Sequence, residues 1–463
     1  MSLNSDFWLQ LNLSRSGMTS FPTSFVRDSI MDRVTGRFRI ARRFAALTLV
    51  LQLALVIQAE DWPQFRGPNR DGVWNETGIL QTFPAEGLKF RWRAPVGPGH
   101  SSPVVARGRV YVTDRETQKP KAWERIHCFD EKTGKPIWTY RDEVNFPHSF
   151  DPKNPTGPCP TPIIEGDRVF TLGTTGHLLC LDAGNGRVVW KMILTDDYGL
   201  IEAPNLTPCP LIEGDLLILV IGGKPGACVV AFDKRTGKEV WRALDDPPRA
   251  FSSPIVVSAG GQRQLIVWTP KGVTSLNPST GQIWWRERLD TREDYAGASP
   301  VFQGDSLLIS GLMFQLDRDK PAASVLWPER KVLSLRILSN TCMPAILGGQ
   351  IYAADMNGRL ICLDAGTGER LWEIDKVTGP QKYGAIHLTP NGESVLLFTD
   401  QGNLIRARLN RKGYHELSRV HLVDPTFLVG GRKLVWAPPA FANGHVFARN
   451  GKELVCASLV AKP

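Results

Sequence analysis

The chain has 463 residues, 42% hydrophobic and 22% charged, with 43 Gly, 34 Pro and 14 Trp, a composition of many turns and many aromatic anchors. Its formal charge of +9 falls to +5 once residues 1–59, with seven Arg against three Asp, are set aside. What remains is spread along the chain without a Lys/Arg-rich block, which argues against nucleic-acid binding, and no long helical periodicity follows residue 60, so the class is all-β.

Residues 1–59 read as targeting sequence. Arg33, Arg37, Arg39, Arg42 and Arg43 precede the apolar run from Phe44 to Ile57, and Ala59 ends it before Glu60-Asp61. This is the charged region, apolar core and small-residue end of a secretory signal, with cleavage expected near Ala59. The run is about 14 residues, short of the ~20 that a membrane span needs. The residues before Met31 read as a non-native extension. The expectation is a monomer in the periplasm or secreted, in the bacterial cell envelope, with no transmembrane span after cleavage.

Residues 60–87 form an N-terminal arm in which Trp62 and Phe65 are expected to pack on the body, with Gly67-Pro68-Asn69 as a turn. From residue 88 to 463 the chain repeats. The stretch Leu363-Asp364-Ala365-Gly366-Thr367-Gly368-Glu369-Arg370-Leu371-Trp372 has an Asp, a Gly four residues later and a Trp four after that. The skeleton returns at Asp130/Gly134/Trp138, Asp182/Gly186/Trp190, Asp233/Gly237/Trp241 and, with Asn, at Asn277/Gly281/Trp285. An apolar strand ends in Asp, whose carboxylate accepts bonds from the next amides; Gly supplies φ > 0, and the returning strand carries the Trp.

A second signature opens each unit: Ser102-Pro103, Thr161-Pro162, Cys209-Pro210, Ser253-Pro254, Ser299-Pro300 and Met343-Pro344, each followed by apolar residues and a Gly-containing turn. Pro at the start of a strand costs no ladder bond where that end is free. Each unit therefore holds four strands, and four-stranded units every 40–50 residues are the mark of a propeller. The fifth unit keeps its register in Asp319 and Trp327 with Ala323 at the Gly position. The seventh, turning at Pro390-Asn391-Gly392 and Asp400-Gln401-Gly402, has no Trp. The eighth runs from Trp436-Ala437-Pro438 through Ser458 and lacks an outer strand, while Leu88–Trp92 is a lone Trp-bearing strand before the first unit. The expected fold is an eight-bladed β-propeller of four-stranded blades whose last blade is closed by an N-terminal strand.

Cys128, Cys180, Cys362 and Cys456 share one strand position and read as core fillers. Cys159, Cys209 and Cys342 lie near the Pro signature, where a bridge among them stays open. No Cys-x-x-C, metal-type Cys/His spacing, phosphate-cradling loop or nucleophile motif is present, which disfavours a hydrolase or kinase.

The Leu-Asp-x-x-x-Gly-x-x-x-Trp stretches resemble the tryptophan-docking motif of the bacterial propellers related to quinoprotein alcohol dehydrogenases, in which each Trp packs between neighbouring blades. The resemblance covers about residues 62 to 460. It implies either a quinone-dependent dehydrogenase or a non-catalytic propeller similar to the outer-membrane assembly lipoprotein BamB. The first would carry pyrroloquinoline quinone over the central channel, a calcium ion held by Glu, Asn and Asp, a catalytic Asp and often an adjacent Cys pair. This chain has no such Cys pair, and Glu202 with Asn205 is the local candidate for calcium.

The Pro-opened strands are expected to be innermost, so the segments just before them converge on one channel mouth. These bring His100, Tyr198, Glu202, Asn205, Tyr295, Asn340, Tyr383 and Trp436 forward as candidates for binding a protein partner or a small molecule. The longer connections, 139–159 and 191–207, are expected to carry specificity. The reading favours a non-catalytic binding scaffold with no assured cofactor; the alternative is a dehydrogenase using pyrroloquinoline quinone with Ca²⁺.

Overall fold

Thirty-two strands fall into eight four-stranded antiparallel sheets, and these are the blades of an eight-bladed propeller. The computed structural model describes residues 60–145, 157–200, 206–246, 252–289, 297–328, 338–339, 342–379 and 384–461. The expected export signal lies outside them. No helix among the described residues is long and apolar enough to cross a membrane.

The first to seventh blades span residues 104–144, 163–193, 211–243, 255–288, 301–327, 345–374 and 386–421. The eighth takes Ala440–Ala442, His445–Arg449 and Glu453–Ser458, and its outer strand is Phe90–Pro95 from the other end of the chain, antiparallel to Glu453–Ser458 with Trp92 opposite Cys456. The Pro-opened strands are innermost as expected, and the eighth blade's inner strand touches that of the first. A two-stranded hairpin, Phe427–Val429 with Arg432–Leu434, sits between the seventh and eighth blades.

The core lies between blades. Val104, Tyr111, Ile126 and Cys128 of the first blade pack on Ile164, Val169, Leu179 and Leu181 of the second, and the same arrangement recurs around the ring. Middle strands are sandwiched on both faces, so they read as continuous apolar runs; outer strands alternate, as Pro136–Val144 does. Cys128, Cys180, Cys362 and Cys456 fill this core as free thiols, and Cys159, Cys209 and Cys342 are free as well.

The repeated turn has the expected chemistry and one feature more. Asp364 Oδ1 accepts from the amides of Gly366 (3.0 Å) and Thr367 (3.1 Å), and Gly368 has φ +74°. The preceding blade's Trp327 lies flat on that Gly and donates its indole N–H to Ala365 O at 2.8 Å. Trp92, Trp138, Trp190 and Trp241 do the same on Gly134, Gly186, Gly237 and Gly281, and a Cβ there would sit 2.5–3.0 Å from the indole. The Gly is needed for φ and for room.

The fifth blade corrects its expected register. Its turn is built on Asp317, which accepts from the amides of Asp319 (2.9 Å) and Lys320 (3.2 Å), so the equivalent acid is Asp317 rather than Asp319. Pro321 then takes the Gly position. Trp285 accordingly donates to Gln264 Oε1 within its own blade (2.8 Å) instead of reaching across.

The arm crosses the propeller. Trp62 pairs through its backbone with Val105 of the first inner strand, and Pro63 O accepts from Ile164 N–H in the second blade. Arg70 then reaches Pro210 O (2.7 Å) and Pro254 O (3.2 Å) at the starts of the third and fourth inner strands. Trp74 is fully buried against Phe441, and Glu76 accepts from the amides of Asn443 and Gly444 in the eighth blade. Packing by Trp62 and Phe65 holds.

Candidate functional site

The residue before each opening Pro is held extended by the Pro ring. Its amide therefore points sideways and meets the equivalent side chain of the next blade. Ser102 N–H donates to Thr161 Oγ1 (3.0 Å), Thr161 to Cys209 Sγ (3.3 Å), Cys209 to Ser253 Oγ (2.9 Å), Ser253 to Ser299 Oγ (3.2 Å) and Ser299 to Met343 Sδ (3.1 Å). Ser102 Oγ donates to Pro438 O in the eighth blade (2.9 Å). This belt ties six blades and the eighth at the level where the non-repeating connections arrive. Cys209 is a free thiol, and its sulfur is an acceptor in the belt. The signal was present in sequence as a Ser, Thr, Cys or Met before the opening Pro of the first six units; the eighth has Ala437 there.

Beside the belt, a recess of about 220 Å³ opens between the first and eighth blades, roofed by the 427–434 hairpin. His100, Phe427 and Trp436 form its aromatic wall. The His100 ring lies edge-on to Phe427 at 4.5 Å and 5.7 Å from Trp436, and Phe427 lies 5.1 Å from Trp436. Burial, assisted by the nearby Arg449 charge, pushes the imidazole pKa down to about 4, so the ring is neutral at pH 7. Neither His100 Nε2 nor Trp436 Nε1 has a partner among the described residues, although both atoms are buried. Arg449 forms the floor; it is fully buried, with its three nitrogens donating to Thr113 O, Gly97 O and Asn450 O. Lys452 lines the rim. Three rings with positive charge beneath them suit an aromatic or apolar side chain.

Of the eight candidates, the structure brings His100 and Trp436 together. It does not bring Tyr198. The single helical turn Leu194–Asp197 turns that residue outward, its ring packs edge-on to Phe232, and its hydroxyl donates to Glu239 on the third blade's outer strand (2.8 Å). Glu202, Asn205, Tyr295, Asn340 and Tyr383 lie outside the described residues. Phe427 and Arg449 were missed, and no motif marks them.

A second polar group lies between the first and second blades. Asp114 accepts two bonds from Arg125 at 2.7 Å, with His127 Nε2 at 3.0 Å; burial alone would raise its pKa, but these partners hold it well below the carboxylate range. Asp142 accepts from or shares a proton with His177 at 2.7 Å and pairs with Lys191. Glu124, by contrast, is buried with one amide bond from Thr174, and burial pushes its pKa up to about 8. Among the described residues no three acidic, His or Cys side chains gather to hold a metal ion. The belt amides are spent on neighbouring blades.

A family model described as outer membrane protein assembly factor BamB matches residues 122–374, more than half of the chain. The BamB protein of Burkholderia pseudomallei is 27% identical over 226 residues, which is 46% of this chain and 54% of that protein. The quinohemoprotein alcohol dehydrogenase of Comamonas testosteroni is 25% identical over 238 residues, 48% of this chain and 31% of that one. The chain thus spans about half or less of the length of these relatives. Among solved structures, the Comamonas testosteroni quinohemoprotein alcohol dehydrogenase superposes with a TM-score of 0.62 at 15% identity, covering 87% of this chain and 81% of that one. BamB from Moraxella catarrhalis superposes at 0.53 with 16% identity, covering 81% and 99%. At these identities the structural likenesses speak to the fold alone.

Proposed function

The chain belongs to the family of the outer membrane protein assembly factor BamB, and from that membership we propose that it is a protein-binding propeller of the bacterial cell envelope that performs no catalytic step of its own. It acts there as an exported monomer. The observation supporting this reading is the recess at His100, Phe427 and Trp436: an aromatic-walled cavity sized for one or two side chains of an extended partner segment. The relatives' name points to the partner class, an outer-membrane protein under assembly or a component that assembles it.

A photo-crosslinking residue at Phe427, in cells of the source bacterium, tests this. The expected result is an adduct with an outer-membrane assembly component or its client, lost when Trp436 and Lys452 are both changed to Ala. The same probe at Ile283, on the outer rim, should give no such adduct. Failure to crosslink at 427 with the protein folded and exported would refute the proposal.

The quinoprotein relatives keep the dehydrogenase reading alive as the second hypothesis. Pyrroloquinoline quinone with calcium would supply hydride-accepting chemistry at the channel mouth. Dye reduction by the purified protein loaded with both, using short alcohols, would overturn the non-catalytic reading.

A further inference from the structure

The wall of the recess is tied to a buried acid by a short run of hydrogen bonds. The amides of His100 and Ser101 both donate to Pro158 O, at 2.9 and 3.0 Å. Beside Pro158, the Cys159 amide donates to Thr174 Oγ1 (3.4 Å), and Thr174 O accepts from the Leu206 amide (3.0 Å). The Thr174 amide in turn donates to Glu124 Oε1 at 2.9 Å. One carboxyl thus stands beneath the ends of both long connections and within a few bonds of His100.

Glu124 is 4% exposed and shares the strand face of Ile126 and Cys128, which meets the second blade. In the sheet it lies opposite Arg115 on one side and Asp142 on the other. Arg115 turns its Nε to Thr117 Oγ1 (3.0 Å), while the second blade sends His177 and Lys191 to Asp142. Cys159 also faces the carboxyl, and burial pushes its thiol up to about 12, so it stays neutral. Gly173 lies so close that a Cβ there would run into Glu124 Oε2. The space left among Glu124, Asp142, Pro158 and His177 is about 10 Å³, room for about one water.

The neutral acid fits this place; the carboxylate does not. Burial opposes its ionisation most, the Thr174 amide relieves some of that, Asp142 adds like charge and Arg115 offsets a part. An ionised carboxyl calls in water, and one water is too few. The gap between the blades has to widen at the Gly173-Thr174 backbone, which carries the ties to both connections.

We propose that the recess is regulated by pH through Glu124, whose bound proton keeps the Thr174 tie closed and whose ionisation frees the Pro158 segment from His100. That it is a binding site which is regulated rests on the function proposed above; the tie itself does not. Once opened, the carboxyl ionises from about 4.5, whereas in the closed tie it keeps its proton up to about 8. Opening therefore becomes easier by about tenfold per pH unit between those limits, and levels off above 8. His100, lowered to about 4, stays neutral throughout that window and adds no slope of its own.

Hydrogen exchange of the full chain without any partner tests this from pH 5.5 to 9, each rate taken relative to that of a free amide at the same pH. The amides of His100, Ser101, Cys159, Thr174 and Leu206 should lose protection by about tenfold per unit up to pH 8 and little beyond it. The Gly368 amide, in the sixth blade's turn, should not follow them. Glu124→Gln keeps a carbonyl acceptor for Thr174 and removes the titration, so in that variant the same amides should hold level protection at every pH. The proposal is overturned if wild-type protection is level across the range. It is overturned equally if Glu124→Gln keeps the wild-type slope, which would place the proton on a neighbour such as His177. Because no partner is present, a failed crosslink at Phe427 counts against the recess and leaves the tie standing, and a level exchange profile does the reverse.

Discussion

At the scale of single residues, two acids of the first blade show how environment sets charge. Asp114 and Glu124 are both buried, on adjacent strands, yet they shift in opposite directions. Asp114 has Arg125 and His127 against it; Glu124 has one amide, and Asp142 nearby adds like charge. A Glu whose folded pKa stands near 8 binds a proton that the unfolded chain releases from about 4.5 upward. Its stabilising contribution is therefore full below pH 4.5 and disappears as the pH rises through 8. Urea melts across that window should show wild-type stability falling, by an amount on the order of a few kcal/mol, and Glu124→Gln should flatten the slope. An unchanged slope in the variant would assign the dependence elsewhere. His100 has the opposite sign: with its pKa lowered to about 4, it costs stability as the pH falls from 6.5 toward 4.

At the scale of the element, the Asp-Gly-Trp turn was legible because its physics is local and repeated. Asp caps the turn, Gly supplies the backbone angle, and period-two alternation marks the outer strand. What the spacing could not show is which Gly each Trp meets, since the two belong to different blades. Gly186→Ala tests the coupling. It adds a strained φ of +74° and a methyl 2.6 Å from Trp138, and should cost about 2–5 kcal/mol by chemical denaturation. Gly261→Ala has a similar φ of +67° with nothing near its Cβ, and should cost only the backbone part, about 1–2 kcal/mol. Equal losses would mean that the Trp contact contributes nothing. The fifth blade's register was misassigned for a related reason: Asp317 and Asp319 are both acids two residues apart, and only the amides of Asp319 and Lys320 reveal which one caps. At that junction the indole hydrogen bond stays within the fourth blade, while Trp285 still packs on Phe314 of the fifth (ring centroids 6.2 Å), and an open groove of about 710 Å³ lies between the 258–263 hairpin and the fifth blade's Asp305, Asp317 and Arg318.

At the scale of the whole molecule, the ring and its closing strand could be counted from the repeats, but the recess could not. Its walls come from residues 98–100, 426–437 and 449–452, which share no motif and meet only because the eighth blade closes on the first. Tyr198 fails for the converse reason: its place in a long connection suggested the axis, and one helical turn redirects it. The arm is the other feature of this scale. Its Arg70 bridges the third and fourth blades from within the channel, and burial lowers its pKa to about 10. Arg70→Ala strips two buried carbonyls of their donor, so a loss of about 2–6 kcal/mol is expected from the unmet acceptors. Hydrogen exchange should localise that loss to the third and fourth inner strands; uniform protection would show that the arm does not brace them.

The pairing of Phe90–Pro95 with Glu453–Ser458 has a temporal side. A chain made from its N-terminus presents this strand before any blade exists, and the strand it pairs with follows more than 350 residues later. Until then the free strand edge waits without its cognate strand, although Trp92 can already meet Gly134 and Glu131 of the first blade. Joining the two strands closes a loop of more than 350 residues, which on entropy alone lags the closure of a 40-residue blade by about 2 kcal/mol. The ring must therefore be completed late, and until it is, an aromatic strand with an open edge remains available to whatever holds unfolded chains in that compartment.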